Sequence, residues 1–348
     1  MGGFFKTQHK KGYNMIVNIK KAVLHILDAN SGISVFSKEE LDLENKNTIA
    51  YICEHIDKVC NNPSMRTGIF KENSGFLYQL KQYKNNQIDF LSLSQNIAEK
   101  FYDLIRESDN ITSSDLIISD CMMGEKPTIA IMKCDNKIGF VHQIMKNSES
   151  VKNEIVNHYA IMPPLSQRFS DYAFISLDDF SIKYKPKNIM VEGEKIDMFA
   201  DGILECDFDF STKESFNKMR KLAKKVTEDF AGNEIDTEAK IKMYVKDTAI
   251  VNENIKVEEV AEAVFNNSPS AREEFVEKVR EAEIPETFKM NEYVTKRVNK
   301  NLKIVTDTGI EISFPPEYYK DEENIFIINN DDGTISIQIN NVGQIINK

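Results

Sequence analysis

Six cations crowd one short stretch of this chain: Lys213, Lys218, Arg220, Lys221, Lys224 and Lys225. Ammonium and guanidinium groups spaced by helical turns, about 5–6 Å apart, suit one kind of chemistry, contact with successive phosphates and release of their condensed counterions. That spacing requires a helix, and residues 211–232 predict one. Ser211 followed three residues later by Glu214 forms a capping box, and Gly232 is placed to end the helix in a left-handed conformation. At 100° per residue Phe216, Met219, Leu222, Ala223, Val226 and Phe230 fall on one stripe, which must be buried, while the six cations cover the other side. A lysine-rich helix can also be an ordinary solvated face. Here no acid stands between Lys218 and Lys225, so these cations are read as lacking carboxylate partners within the patch, which favours a polyanion surface. A second cluster, Lys289, Lys296, Arg297, Lys300 and Lys303 around the single acid Glu292, is expected to flank the first across the same surface.

The rest of the chain limits how such a surface can act. With 55 acidic against 44 basic side chains the formal charge is −11, so the average field repels nucleic acid and any contact has to be local. Coating DNA by bulk charge is excluded. The length of 348 residues supports a substantial core and two domains. Cys53, Cys60, Cys121, Cys134 and Cys206 form no CxxC pair and read as reduced, mostly buried thiols, with no zinc site. No apolar run is long enough to span a bilayer and no signal-peptide core follows the N-terminus, so the expectation is a cytoplasmic protein with no membrane partner.

Enzymatic chemistry finds little support. The GxxxxGK[ST] loop, GxGxxG after a strand, HExxH and GxSxG are all missing, and no cofactor is implied. Glu192, Glu194, Asp197, Asp201, Glu205, Asp207 and Asp209, with Lys195 among them, resemble the carboxylate supply of a metal-dependent nuclease. The spacing misses E-x-K, and alternation along a strand would scatter the acids to both faces, so a soluble edge hairpin is the preferred reading. His25 and His142 sit among apolar strand residues and read as structural; Tyr318 and Tyr319 beside Pro315 and Pro316 read as packing residues.

The elements that must position the basic surface are of α+β type. Residues 1–14 differ in pattern from the rest of the chain and read as a non-native extension, with Met15 as the start. Residues 15–209 predict a mixed domain: a strand at 16–27, helical spacing over 38–60, a helix at 89–107, then short β-branched runs at 116–122, 128–133, 140–145 and 155–161 as in an antiparallel meander. Further strands are expected at 173–177, 180–184 and 189–191, with Pro163 and Pro164 in a connection. Residues 210–348 predict a helical domain closed by β hairpins. Helices are expected at 237–248, 257–265 and 269–283, the last with Ser268 as N-cap, and strands at 302–306, 310–314, 325–328 and 334–339.

In order along the chain stand AVLHIL from Ala22, FKENSGFLYQLKQYKNNQIDFLSLS from Phe70, the basic helix ending AKKVTEDFAG, ISFPPEYY, and IFIINNDDGTISI. From about residue 22 to 345 this succession resembles the bacterial 37-kDa nucleoid-associated proteins of NdpA type. The resemblance implies nucleoid association and DNA binding, and carries no catalytic residues with it. The expected function is therefore a non-enzymatic protein that binds double-stranded DNA mainly through phosphates, with low sequence specificity. Its expected contacts are Lys213, Lys218, Arg220, Lys221, Lys224, Lys225, Lys296, Arg297, Lys300 and Lys303. A different class stays open: recruitment by nucleoid proteins, with residues 228–286, which hold 16 acids against 7 bases, as a DNA-mimic-like surface. The oligomeric state is open too, a homodimer included.

Overall fold

The computed structural model of the chain describes residues 16–29, 32–146, 151–158, 161–319 and 324–346. The expected extension at 1–14 and the Met15 start lie outside them. The chain divides into two compact units, one ending at Asp209 and one beginning at Phe210.

In the first unit β1 (Val17–Asp28) and β2 (Ile33–Val35) precede α1 (Lys46–Val59), β3 (Arg66–Phe70), α2 (Gly75–Lys84) and α3 (Phe90–Glu107). Then come β4 (Ser114–Met123), β5 (Lys126–Asp135), β6 (Gly139–Lys146), β7 (Val151–His158), β8 (Asp171–Ser176) and β9 (Ile182–Tyr184). The hairpin of β10 (Asn188–Val191) and β11 (Glu194–Asp197), a π-helical turn (Met198–Leu204) and β12 (Cys206–Asp209) complete it. Eight of these strands form one antiparallel sheet in the order β12-β3-β9-β8-β5-β4-β1-β2. Its central strands are buried on both faces. Ile129 and Ile131 of β5 pack with α2 and α3 on one side, and Ala130, Met132 and Cys134 pack with Ile52, Ile56 and Val59 of α1 on the other.

The α3 helix begins where the sequence places it, because the Asp89 carboxylate accepts the Ser92 N–H at 2.7 Å. The α1 helix is shorter than the 38–60 periodicity suggests. Asp42 and Asn45 each bond a backbone N–H two residues ahead, holding 42–45 in local turns until Asn45 caps the helix at Lys46. The expected meander holds for β4 and β5, with Gly124 at φ +63° opening the two-residue turn between them, and the further strands expected at 173–177 and 180–184 follow as β8 and β9 beside β5. It fails for β6 and β7. Among the described residues these two pair only with each other, as a ribbon that leaves Phe140 73% and Ile155 80% exposed.

His25 is fully buried on β1. Its Nδ1 accepts the Ser37 N–H at 3.1 Å, so Nε2 carries the proton and faces Ser94 Oγ at 3.2 Å. Burial pushes the imidazole down to about 4 from 6.5, and a second ring proton would confront the Ser37 donor. A base depressed in the folded state takes up its proton first in the unfolded chain, so its share of stability is intact above about pH 6.5 and fades as pH falls toward 4. Denaturant titrations are expected to show about 2–3 kcal/mol lost between pH 7 and 4.5 from this residue. His25→Gln should lower stability at pH 7 and flatten that fall; an unchanged pH profile would count against it.

The second unit starts with α4 (Thr212–Asp229) and α5 (Glu234–Val251), followed by β13 (Asn254–Lys256), α6 (Val257–Val264), α7 (Pro269–Glu281) and β14 (Thr287–Lys289). Then come α8 (Glu292–Val298), β15 (Leu302–Val305), β16 (Glu311–Phe314), a 3-10 turn (Pro316–Tyr318), β17 (Ile325–Asn329) and β18 (Ile335–Ile339). The last strands match the expected hairpins, and Gly333 turns the final one at φ +83°. Two cores share α5. Ile241 and Val245 join Phe216, Val260, Phe275 and Val294, while Ala239 faces Leu302, Phe314 and Tyr319. A helix clamped between two cores has no wide solvent face, and that buries even its Lys242.

Candidate nucleic-acid interface

The basic helix α4 is held at both ends. Ser211 Oγ accepts the Glu214 N–H at 3.2 Å and Glu214 returns the bond to the Ser211 N–H at 3.1 Å, completing the capping box. At the far end the expectation for Gly232 is corrected. The left-handed residue is Ala231, φ 51°; its N–H meets the Glu228 carbonyl, and the Gly232 N–H closes on the Thr227 carbonyl at 2.7 Å. Glycine is needed at 232 for space, since a Cβ there would fall 2.9 Å from Thr227 Cγ2 and 3.3 Å from its carbonyl oxygen. Ala231→Gly relieves about 1–2 kcal/mol of left-handed strain at some cost in unfolded-chain entropy, so a net gain of about 0.5–1 kcal/mol is expected by thermal melting. Gly232→Ala should lower the melting temperature; the reverse pair of results would overturn the assignment of the cap.

Phe216, Met219, Ala223 and Val226 are buried as the stripe requires. Phe230 is not: it caps the helix and is 44% exposed. The cations split into three groups by what each of them meets. Arg220 and Lys224 lie at about 40° and 80° from Phe216, close to the buried stripe, and there they meet α5. The Arg220 guanidinium grips the Glu238 carboxylate with two nitrogens, Nε at 3.1 Å, and Lys224 stands 3.2 Å from Glu234. Lys213 and Lys218 lie over aromatic rings, those of Tyr293 and Phe210, at 5.3 and 3.4 Å from the ring centres. Lys221 and Lys225, at about 140° and 180°, are exposed and enter no ion pair among the described residues. The expectation of an uncompensated patch is thus corrected for Arg220 and Lys224, whose partners come from the next helix.

The second cluster divides the same way. Lys296 pairs with Glu292 one turn earlier on α8, and Lys303 of β15 pairs with Glu311 of β16 at 2.8 Å. Arg297 and Lys300 are exposed with no ion pair among the described residues. The two clusters do meet. Arg220, Lys224, Arg297, Lys300 and Lys303 line one cleft of about 550 Å³ together with Lys242, Glu234 and Glu238. Six cations face two carboxylates there, a surplus of four, reduced to three by Glu311 on Lys303.

Lys242 is the member that sequence patterning does not reveal. Its ammonium donates to the carbonyls of Lys300 and Asn301, at 2.6 and 3.2 Å, and so fastens the segment that carries Lys300 to α5. Burial lowers its pKa; Glu238 pushes the other way, and Arg220, Arg297 and Lys300 add to the depression. The surplus positive field of the cleft is felt at its floor. The only hint in the sequence is a lysine between Ile241 and Val245, and one apolar-side lysine is too common to read.

The family profile described as nucleoid-associated protein YejK, NA37, matches residues 23–347. The chain belongs to the NA37 family. No curated protein matches it.

In this NA37 member three of the carboxylates between 192 and 209 are put to structural use. Asp197 is buried, 3.1 Å from Arg66, and its other oxygen caps the π-helical turn at Phe199 and Ala200. Asp201 accepts the Asp197 N–H, and Glu205 holds Lys100 and the Gly75 N–H. No group of three or more acidic, His or Cys side chains fit to hold a metal ion occurs among the described residues. Tyr319 is buried against Leu302 and Phe314, whereas Tyr318 is 43% exposed.

Proposed function

We propose that this nucleoid-associated protein binds double-stranded DNA directly, without catalysis, through the basic cleft of its second unit and the adjoining Lys221 and Lys225. The cationic surplus carries this reading: Arg297, Lys300, Lys221 and Lys225 have no carboxylate partner among the described residues, although the chain as a whole is acidic. Such groups contact phosphates, which hold no base information, so sequence preference is low. About 4–6 neutralised phosphates fit the available cations. Among the described residues no helix is long and apolar enough to cross a membrane, in keeping with a nucleoid location.

A second reading, recruitment through protein partners, draws on α6 and α7. Glu258, Glu262, Glu273 and Glu277 line a separate cleft there, though Arg272 and Arg280 stand among them. Affinity capture with and without nuclease separates the readings. Direct DNA binding predicts a gel shift with purified protein and loss of co-captured nucleoid proteins after digestion. Protein recruitment predicts no shift and capture that survives digestion.

A further inference from the structure

The first unit contains a cavity of about 550 Å³ with no part in the proposed DNA contact, within the range of about 300–1,000 Å³ typical of small-molecule sites. Its floor is apolar, formed by Phe101, Leu104 and Ile105 on the last turns of α3 and by Met198, with the β10–β11 hairpin as a wall. At one end the wall becomes ionic. Lys133 and Asp171 face each other across β5 and β8 at 3.8 Å, each about 97% buried. Lys187 reaches Asp171 at 2.7 Å and Asp135 at 3.2 Å, and Lys133 closes the ring on Asp135. Burial alone would depress the Lys187 ammonium, but Asp171 and Asp135 outweigh it and hold its pKa above the ordinary value.

Two ammonium groups and two carboxylates make this quartet neutral. Stability alone does not call for it, since an apolar set of the same volume is often as stable as a buried ion network. Lys195, exposed on β11, also lines the cavity and enters no ion pair among the described residues. The balance at the cavity is therefore one positive charge beside an apolar floor.

We infer that this cavity binds a small monoanionic amphiphile, its apolar body on the Phe101, Leu104 and Met198 floor and its anionic head at Lys195. A dianion would meet one cation too few, and a cation would meet Lys195 as a like charge. An uncharged chain would fill the floor and leave Lys195 without a counter-charge.

Calorimetric titration of the full chain tests this with three probes of equal chain length: octanoate, octylammonium and octanol. Octanoate should bind saturably at one site per chain, about tenfold or more tighter than either of the others. Lys195→Glu, at an exposed strand position, should reverse the order and favour octylammonium. A charge-selective reversal separates the cavity from loose adsorption on the exposed β6–β7 ribbon, which lacks Lys195. No saturable octanoate binding, equal binding of octanol, or a preference untouched by Lys195→Glu would each overturn the inference.

Discussion

Replacing Lys221, Lys225, Arg297 and Lys300 together by Gln is expected to weaken binding to duplex DNA on the order of 500-fold at 0.15 M salt. Each phosphate contact contributes a slope of about 0.9 in log affinity against log salt, hence roughly 5-fold at that concentration, and four contacts multiply. The four are chosen because they are exposed and have no carboxylate partner among the described residues. Glutamine removes the charge and shortens the stem but leaves a polar side chain, and at exposed positions stability should change by no more than about 0.5 kcal/mol per site. Fluorescence anisotropy with a labelled duplex, alongside a melting curve, reads both quantities. A loss of less than about tenfold in a protein that melts normally would move the interface elsewhere. Lys224→Gln, by contrast, should cost little, because Glu234 already compensates that ammonium.

Removing the compensating acids should do the opposite. In the double variant Glu234→Gln, Glu238→Gln, the side chains of Arg220 and Lys224 lose their partners and two further cations become available to phosphate. Affinity is expected to rise by up to about 25-fold at 0.15 M salt. A gain of this kind cannot come from unfolding, which makes it the harder result to reach by accident. The Glu238 change has a structural cost, since Arg220 is only 12% exposed and sits beside Lys242, so Glu234→Gln alone, at about 5-fold, is the cleaner arm. Unchanged affinity in both variants would mean that the cleft does not touch DNA.

The difference between Lys221 and Lys224 shows what the sequence could and could not convey. Helical periodicity placed both on the basic arc of α4, and the capping box and the apolar stripe stand as expected, Phe230 excepted. Which cations stay unpaired depends on Glu234 and Glu238 of the next helix, brought alongside by the shared core of Met219, Ile241 and Val245. That is tertiary information. The same limit hides Lys242, whose burial follows from α5 lying between two cores. Long elements with strong patterns, such as α3 and β4, were legible because one helical stripe or one β-rich run decides them. The five-residue strand β3 and the helix α2, with two fully buried apolar residues, give too few periods to register. The β6–β7 ribbon reads as sheet because its residues are β-formers; nothing local says that it leaves the main sheet. At the end of α4, glycine marked the turn correctly but one residue away from the left-handed position, because close packing on Thr227 and not backbone freedom selects it.

Direct phosphate binding by the second unit is tested most simply by the salt dependence of duplex affinity for the unaltered full chain. Between about 0.05 and 0.3 M salt the logarithm of the association constant should fall against the logarithm of salt with a slope near −4 to −5. A slope near zero, or no measurable binding at the lowest salt, would contradict it.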